Sequence, residues 1–202
     1  MTNNKIFMLL DRSGSMAGRM WEEAISGINS YVEKLYGTSA DVMLAVFDSQ
    51  GYDIIRNTNT ANWKNLEQNE ISPRGSTPLL DSAARIMQQM MDSKAERAVL
   101  VVITDGYENA STKFKASEIK EMTRSLTTKY NYDIVFLGAN FDGINDVAMQ
   151  NFGVSDAGKF MSSSVRGFAG AMNTTAMGSM DYLNTGKTMS YTDEDKAKAK
   201  AE

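Results

Sequence analysis

An aspartate and two serines occupy alternate positions near the start of the chain, in the segment Asp11-Arg12-Ser13-Gly14-Ser15. In a tight loop, side chains at alternate positions can converge on one point, and a glycine between them lets the backbone fold closely. Carboxylate and hydroxyl oxygens of this kind suit Mg²⁺, which prefers octahedral coordination and keeps some of its waters. The segment therefore predicts a cation-binding loop, although an aspartate that only caps the following helix would give a similar local pattern.

A second aspartate, Asp105, ends a strongly apolar, β-branched run that predicts a strand over residues 97–105. Asp11 likewise ends a predicted strand, over residues 5–11. In open α/β sheets, ligands bind at the carboxyl ends of the strands, where the strand order reverses. If these two strands are neighbours, Asp11 and Asp105 border the same crevice. Two carboxylates placed there repel each other unless a cation lies between them.

The chain of 202 residues contains no histidine and no cysteine. This excludes a Ser-His-Asp triad, a cysteine nucleophile, an iron–sulfur cluster, a zinc site built from thiolates or imidazoles, and a disulfide framework. It also removes the usual side chain for sensing pH near neutrality. A bound metal would therefore be held by oxygen ligands, and Mg²⁺, Mn²⁺ and Ca²⁺ come first among the candidates.

The composition is that of an ordinary globular domain, with 42% hydrophobic and 23% charged residues. The net charge of −4 argues against a nucleic-acid partner, because phosphate binding favours a basic face. The N-terminal apolar run, residues 6–10, is too short for a signal peptide, and no stretch approaches the roughly 20 apolar residues of a membrane span. We therefore expect a cytoplasmic protein without a membrane partner.

Predicted strands alternate with amphipathic helices along the chain. The strands are expected at residues 5–11, 41–47, 52–56, 97–105, 132–137 and 159–162, and the helices at residues 20–36, from 78 onward, and at 114–129, 144–153 and 165–183. Asp142 is expected to cap the helix near residue 144. The alternation predicts an α/β fold with a doubly wound, mostly parallel central sheet, one antiparallel edge strand and helices on both faces, like a Rossmann fold. We expect one domain, residues 1–185, followed by a charged and flexible tail, residues 186–202.

The pattern Asp11-x-Ser13-x-Ser15 after a buried first strand resembles the metal-ion-dependent adhesion site (MIDAS) of the von Willebrand factor A (VWA) domain family. The resemblance implies two further metal ligands, a threonine on a middle loop and an aspartate after the fourth strand, and Thr77 and Asp105 match them in the expected order. Residues 136–140 also resemble the fifth-strand region of small stand-alone bacterial and bacteriophage members. The resemblance covers about residues 4–183, and no metal-ligand position departs from the family pattern.

The resemblance implies a non-enzymatic protein-binding module with an intact MIDAS. A divalent cation, Mg²⁺ or alternatively Mn²⁺ or Ca²⁺, would be held by Asp11, Ser13, Ser15, Thr77 and Asp105. A partner protein would complete the coordination with an aspartate or glutamate carboxylate. By family analogy alone, the partner would be an AAA+ ATPase or another phage or host protein.

Residues beside the implied ligands in sequence form the expected rim of the partner site. These rim residues are Gly14, Met16, Ser76, Gly106 and Tyr107. Met16 and Tyr107 are expected to offer apolar contacts, and the nearby Arg12 and Arg19 to meet acidic groups of the partner. An ordinary exposed loop would explain the same residues.

Two other functions remain open at this point. A metal-dependent phosphoryl-transfer hydrolase would suit an α/β sheet with an aspartate after its first strand, but such phosphatases normally carry a second acidic residue two positions later, where Ser13 stands. The chain could also be a structural or assembly component of a phage or bacterial complex. A screen with phosphate esters tests the first alternative, and Mg²⁺-dependent capture of a partner tests the second.

Overall fold

Six strands form one sheet in the structure, a computed structural model that describes residues 3–201. The strands are β1 (Asn4–Asp11), β2 (Asp41–Asp48), β3 (Gly51–Asn59), β4 (Arg97–Thr104), β5 (Asp133–Ala139) and β6 (Phe160–Ser163). Their spatial order is β3-β2-β1-β4-β5-β6. The edge strand β3 is antiparallel to β2, and the other pairs are parallel. The predicted fold class, an α/β doubly wound sheet with one antiparallel edge strand, is confirmed.

Within the described residues, six α-helices cover the two faces of the sheet. They are α1 (Arg19–Lys34), α2 (Leu79–Asp92), α3 (Ala116–Thr128), α4 (Ile144–Phe152), α5 (Phe168–Thr185) and α6 (Asp193–Lys200). One core layer contains side chains of α1 and α5, and the other contains side chains of α2, α3 and α4. No helix within residues 3–201 is long and apolar enough to cross a membrane.

The first strand is buried on both faces, which explains its nearly continuous apolar sequence. Met8 and Leu10 belong to the core layer under α1 and α5, whereas Phe7 and Leu9 belong to the opposite layer. Successive side chains of a strand point to opposite faces, so a strand at the centre of a parallel sheet needs apolar residues at every position. The end of β1 is thereby held firmly in place for the polar loop that follows.

The strands β1 and β4 are neighbours, which is the condition under which Asp11 and Asp105 border one crevice, and Leu10 pairs with Ile103 across them. Asp11 is the next residue on β1, and Asp105 directly follows β4. The carboxyl ends of parallel strands lie on the same side of a sheet, and the strand order reverses between β1 and β4. Both aspartates therefore lie at the point where ligands bind in open α/β sheets.

The prediction that Asp142 caps α4 is wrong. The residue before α4 is Gly143, and no side chain makes a capping hydrogen bond there. Asp142 instead accepts a hydrogen bond from the Ser162 hydroxyl at 2.8 Å and forms an ion pair with Lys200 at 2.8 Å. These two partners come from β6 and α6, so only the tertiary structure brings them to Asp142.

The segment after residue 185, expected to be a flexible tail, packs against the domain. Met189, Tyr191 and Ala199 are at most 5% exposed and belong to the core layer of α1 and α5. The Tyr191 hydroxyl lies 2.9 Å from the Thr175 hydroxyl on α5. Few apolar residues interrupt the charges of this segment, so its sequence shows no periodic pattern that would predict the burial of Met189, Tyr191 and Ala199.

At the end of α6 the chain approaches the start of α5 very closely. Ser164 N donates a hydrogen bond to Ala199 O at 2.9 Å. A Cβ atom on Gly167 would lie 2.0 Å from that same carbonyl oxygen, so the approach requires glycine there. The segment after residue 185 therefore contacts both the N-terminal end of α5 and the middle of this helix.

Tyr191→Ala is expected to lower the free energy of unfolding by about 3–5 kcal/mol, because a buried aromatic side chain is replaced by a cavity. Tyr36→Ala is the matched control, since Tyr36 is 69% exposed and its truncation should change stability by less than about 0.5 kcal/mol. Urea denaturation followed by circular dichroism measures both. Equal effects of the two substitutions would contradict the packed tail.

Candidate metal centre

The first loop carries Asp11 at the end of β1 and two serines in the turn that follows. Ser13 N donates a hydrogen bond to Asp11 Oδ1 at 2.7 Å, and the Thr104 hydroxyl donates to Asp11 Oδ2 at 2.7 Å. Asp11 is fully buried, whereas Ser15 is exposed. The two serine hydroxyl oxygens lie 3.1 Å apart. The loop therefore holds a buried, hydrogen-bonded carboxylate and, nearer the surface, two adjacent hydroxyls.

The carboxylate of Asp105 joins this group from the neighbouring strand. The Ser15 hydroxyl donates a hydrogen bond to Asp105 Oδ1 at 2.8 Å. Asp11, Ser13, Ser15 and Asp105 are thus linked by one continuous set of hydrogen bonds, although Asp11 and Asp105 are 94 residues apart in sequence. The structure brings these four predicted residues together.

Thr77 lies on the middle loop, just before α2, and its backbone is fixed on both sides. Thr77 N donates to Asn109 Oδ1 at 2.8 Å, and Asn109 N donates to Thr77 O at 3.1 Å. Thr77 is only 3% exposed, yet its hydroxyl makes no hydrogen bond with any residue from 3 to 201. The side-chain oxygen therefore remains available to a ligand.

Backbone hydrogen bonds hold the middle loop against the first loop. Gly14 N donates to Gly75 O at 3.0 Å, and Arg74 N donates to Arg12 O at 2.7 Å. Gly75 has a φ of +68°, and a Cβ atom there would lie 2.5 Å from the Ser49 hydroxyl oxygen. A larger residue would be strained in both respects, so glycine at this position lets the two loops meet.

Two further carboxylates, which are not among the candidate ligands, fix the start of α2. Glu108 accepts hydrogen bonds from the backbone N–H groups of Leu80 and Ala110 at 2.9 and 2.8 Å. Asp81 accepts hydrogen bonds from three successive backbone N–H groups of the loop before α3, those of residues 112, 113 and 114. The bond from Leu80 to Glu108 and the three bonds to Asp81 span about thirty positions of sequence, so no local pattern predicts them. They join the middle loop to the loop after β4.

The structure corrects two of the expected contacts at the rim. Met16 is fully buried in the core layer of α1 and α5, so the prediction that it offers a partner an apolar contact is wrong. Arg12 is only 5% exposed, because its guanidinium points inward and pairs with Asp48. A residue next to a ligand in sequence can face the core when the loop turns tightly, and a single sequence does not show which way the side chain points.

The remaining rim residues reach the surface. Gly14 and Ser76 are exposed, Gly106 is partly exposed, and Tyr107 is 53% exposed. The Tyr107 ring packs edge-on against Phe141 with ring centroids 4.9 Å apart. Arg19 is also exposed and lies 3.7 Å from the Glu23 carboxylate. Tyr107 is therefore the large apolar group beside the two aspartates.

The charges of the site are unfavourable in the protein alone. Burial raises the pKa of Asp11 to about 6, against the lowering effect of the hydrogen bonds from Thr104 and Ser13, and the charge of Asp105 raises it further. Burial also raises the pKa of Asp105. In a chain without histidine, Asp11 thus becomes a group that titrates near neutrality. A cation between the two carboxylates would relieve both effects.

The donor set fits a small, hard cation. Two carboxylates and three hydroxyls provide oxygen ligands only, and the two negative charges of the carboxylates would balance the two positive charges of Mg²⁺. Within residues 3–201 there is no cluster of three or more acidic side chains that could hold a metal ion, so a metal site in these residues would need oxygen ligands besides carboxylates. Asp11, Ser13, Ser15, Thr77 and Asp105 are the residues that could do so.

Asp11→Asn is expected to stabilise the metal-free protein at pH 7 by about 2–3 kcal/mol, because it removes a buried negative charge. The pKa of Asp11 in the folded protein, about 6, lies above its ordinary value of 3.8. The unfolded wild-type chain therefore ionises first, and the free energy of unfolding of the wild type should fall by about the same amount as the pH rises from about 4 through 6. Urea denaturation in chelator at pH 4 and pH 7 measures the difference. Asp181→Asn, at an exposed position, is the control, and an identical pH dependence of the Asp11 variant and the wild type would contradict the prediction.

Solved structures with the same fold come from several bacteria and an animal. The pilus adhesin SpaC of Lactobacillus rhamnosus GG aligns at 14% identity and a TM-score of 0.71, over 91% of this chain and 30% of the adhesin. The vWF domain of the type V pili tip protein Mfa5 of Porphyromonas gingivalis aligns at 11% identity and a TM-score of 0.70, over 96% of this chain and 99% of that domain. Proximal thread matrix protein 1 of the mussel byssus aligns at 13% identity and a TM-score of 0.65, over 89% of this chain and 46% of that protein. At these identities the similarity shows the fold alone.

The sequence comparisons identify the family. No curated protein sequence matches the chain significantly. The family model described as von Willebrand factor type A domain matches residues 5–174, which include all five candidate ligands. The chain therefore belongs to the von Willebrand factor type A domain family.

Proposed function

We propose that the chain is a non-enzymatic protein-binding module whose partner binds through a divalent cation. VWA domains generally mediate protein–protein interaction, and a pilus adhesin is among the proteins with a similar structure. The observation that carries the proposal is the linked group of Asp11, Ser13, Ser15 and Asp105 after β1 and β4, with two carboxylates whose pKa values are raised. The middle loop, which carries Thr77, is bonded to the first loop through Gly14 N and Gly75 O. When bound, Mg²⁺ would offer a coordination position to an aspartate or glutamate carboxylate of the partner.

Existing contacts orient the candidate ligands for this role. Each Asp11 carboxylate oxygen accepts one hydrogen bond, from Ser13 N or the Thr104 hydroxyl, and keeps a second lone pair for a cation. Asn109 holds the backbone of Thr77 while its hydroxyl stays unpaired within residues 3–201. Asp105 is partly exposed, and Ser15 is the side chain among the described residues that donates to its carboxylate. It is therefore the carboxylate that can adjust most easily when a partner's negative charge arrives.

The exposed rim suits contact with a protein surface. Tyr107 presents an aromatic ring beside the site. Gly14, Ser76 and Gly106 are small residues at the surface, so they allow close approach of a partner. Tyrosine is enriched among residues that dominate the binding energy of protein interfaces. Phe141 limits the freedom of the ring, so less entropy is lost when a partner packs on it.

The geometry favours binding over hydrolysis. A phosphatase of the kind considered above would need an acidic side chain two positions after Asp11, and Ser13 bonds there to Asp11 and Ser15. The partner is thus expected to be a protein that presents an acidic residue. An AAA+ ATPase or a phage or host protein, and a cytoplasmic location, stay predictions.

Thr77→Val is expected to raise the Kd for Mg²⁺ at least about tenfold, because valine keeps the shape of threonine but removes an oxygen ligand. Thr123→Val is the matched control: Thr123 is equally buried, and its hydroxyl has no partner within the described residues. Isothermal titration calorimetry with MgCl₂ measures both variants. Wild-type affinity in the Thr77 variant would remove this residue from the ligand set, and absence of Mg²⁺ binding by the wild type at millimolar concentration would refute the metal site.

Partner binding is expected to require both the cation and Tyr107. Affinity purification from the native host with Mg²⁺ should retain a partner that is lost with chelator or with Asp11→Ala. With the partner identified, Tyr107→Ala should raise its Kd about tenfold or more, whereas Tyr36→Ala, at another exposed tyrosine, should not. A partner retained equally in chelator would show that recognition does not depend on the metal site.

A further inference from the structure

Two arginines and two aspartates form a cluster beside the candidate metal centre; we name Arg12, Asp48, Asp53 and Arg74 the loop bracket. Arg12 and Asp48 are buried at its centre, and the side chains of Arg74 and Asp53 are about half exposed. Asp48 Oδ2 accepts hydrogen bonds from Arg12 Nε at 2.6 Å and from Arg74 Nε at 2.8 Å. Arg12 Nη2 also donates to Asp53 Oδ2 at 2.5 Å. Two positive and two negative charges therefore balance within the bracket.

Asp48 is the shared member of the bracket, and its own position is fixed. It ends β2, its side chain is completely buried, and its other oxygen accepts hydrogen bonds from Gln50 N and Gly51 N at 2.5 and 3.0 Å. Burial alone would raise the pKa of Asp48, but the hydrogen bonds from Arg74 and Gln50 and the charge of Arg12 hold it below the usual range. Asp48 is thus a charged, rigid acceptor at neutral pH.

The two arginines belong to the two loops that carry candidate ligands. Arg12 stands between Asp11 and Ser13 on the first loop, and Arg74 stands three positions before Thr77 on the middle loop. Both are held by one carboxylate of a third element, the hairpin of β2 and β3. The backbone bond from Arg74 N to Arg12 O, at 2.7 Å, lies between the same two residues.

Resting on the proposed function, we propose that Asp48 is a positioning residue that holds the first and middle loops at the separation a shared cation requires. Without its charge, the guanidinium groups of Arg12 and Arg74 would repel each other and any cation nearby. The loops would then separate, and Thr77 would move away from Asp11 and Ser13. Supporting residues of metal sites typically change metal affinity ten- to a hundredfold when mutated.

A second buried carboxylate provides a matched control for simple loss of stability. Asp133 is 2% exposed, pairs with Lys159 Nζ at 2.7 Å and accepts a hydrogen bond from Met189 N at 2.6 Å. Asp133 begins β5, which is parallel to β4. It therefore lies at the amino ends of the parallel strands, opposite the loops that follow β1 and β4 at their carboxyl ends. Asp133→Asn should destabilise the fold much as Asp48→Asn does, without disturbing the candidate metal centre.

The experiment compares Asp48→Asn and Asp133→Asn by calorimetric titration with MgCl₂ and by amide hydrogen exchange of the metal-free proteins. Asp48→Asn should raise the Kd for Mg²⁺ about ten- to a hundredfold and should speed exchange at the amides of Gly14 and Arg74 about tenfold or more. Asp133→Asn should change neither quantity. Wild-type Kd in Asp48→Asn, unchanged exchange at these two amides, or equal effects of the control would overturn the proposal.

The design separates this proposal from the proposed function. If the wild type binds no Mg²⁺, the proposed function fails, and exchange at Gly14 and Arg74 alone decides whether Asp48 holds the loops together. If Asp48→Asn does not fold, Arg74→Gln takes its place, because Arg74 is partly exposed and its loss leaves the Arg12–Asp48 pair intact. Arg74→Gln should raise the Kd for Mg²⁺ severalfold and speed exchange at the Gly14 amide, and wild-type values for both would overturn the proposal.

Discussion

The placement of two carboxylates at the ends of neighbouring strands is the constraint on which the candidate site depends. Asp11 and Asp105 are brought together by the parallel pairing of β1 and β4, and that pairing is fixed by apolar side chains on both faces of the sheet. Because Asp11 is fully buried, its charge is costly without compensation, and its pKa rises to about 6. The buried charge of Asp11 destabilises the metal-free fold, a cation would relieve this, and this is the physical basis of the proposed metal-dependent function.

Carboxylates that are not candidate ligands hold the three loops of the site in place. Asp48 joins the first loop to the middle loop through arginines, and Glu108 and Asp81 join the start of α2 to the loop after β4 through backbone N–H groups. Each accepts several hydrogen bonds at once, so each fixes segments that have no regular secondary structure of their own. Loops at the edge of a sheet can therefore be as well positioned as the strands, which a metal site with a partly open coordination sphere requires.

The segment after residue 185 belongs to the same body as the sheet. Tyr191 and Met189 complete the core layer of α1 and α5, and Lys200 reaches the loop after β5 through Asp142. Phe141, the residue before Asp142, packs under the Tyr107 ring at the rim of the candidate site. The end of the described chain and the proposed partner surface are thus connected through adjacent residues of one loop.

The sequence by itself determined the fold class and marked Asp11, Ser13, Ser15 and Asp105 as candidate ligands. The signals for them are local, namely apolar runs that end in an aspartate and side chains spaced two apart in a short loop. The pairing of β1 with β4, which joins Asp105 to the first loop, is established by the tertiary structure. The tertiary structure alone decided the inward direction of Arg12, the burial of Met16, the partners of Asp142 and the packing of the tail. Each of these depends on a group at least twenty positions away in sequence or on the path of a tight loop through three dimensions. A side chain's neighbours across such distances are set by how the layers pack, and no periodic pattern in one sequence records them.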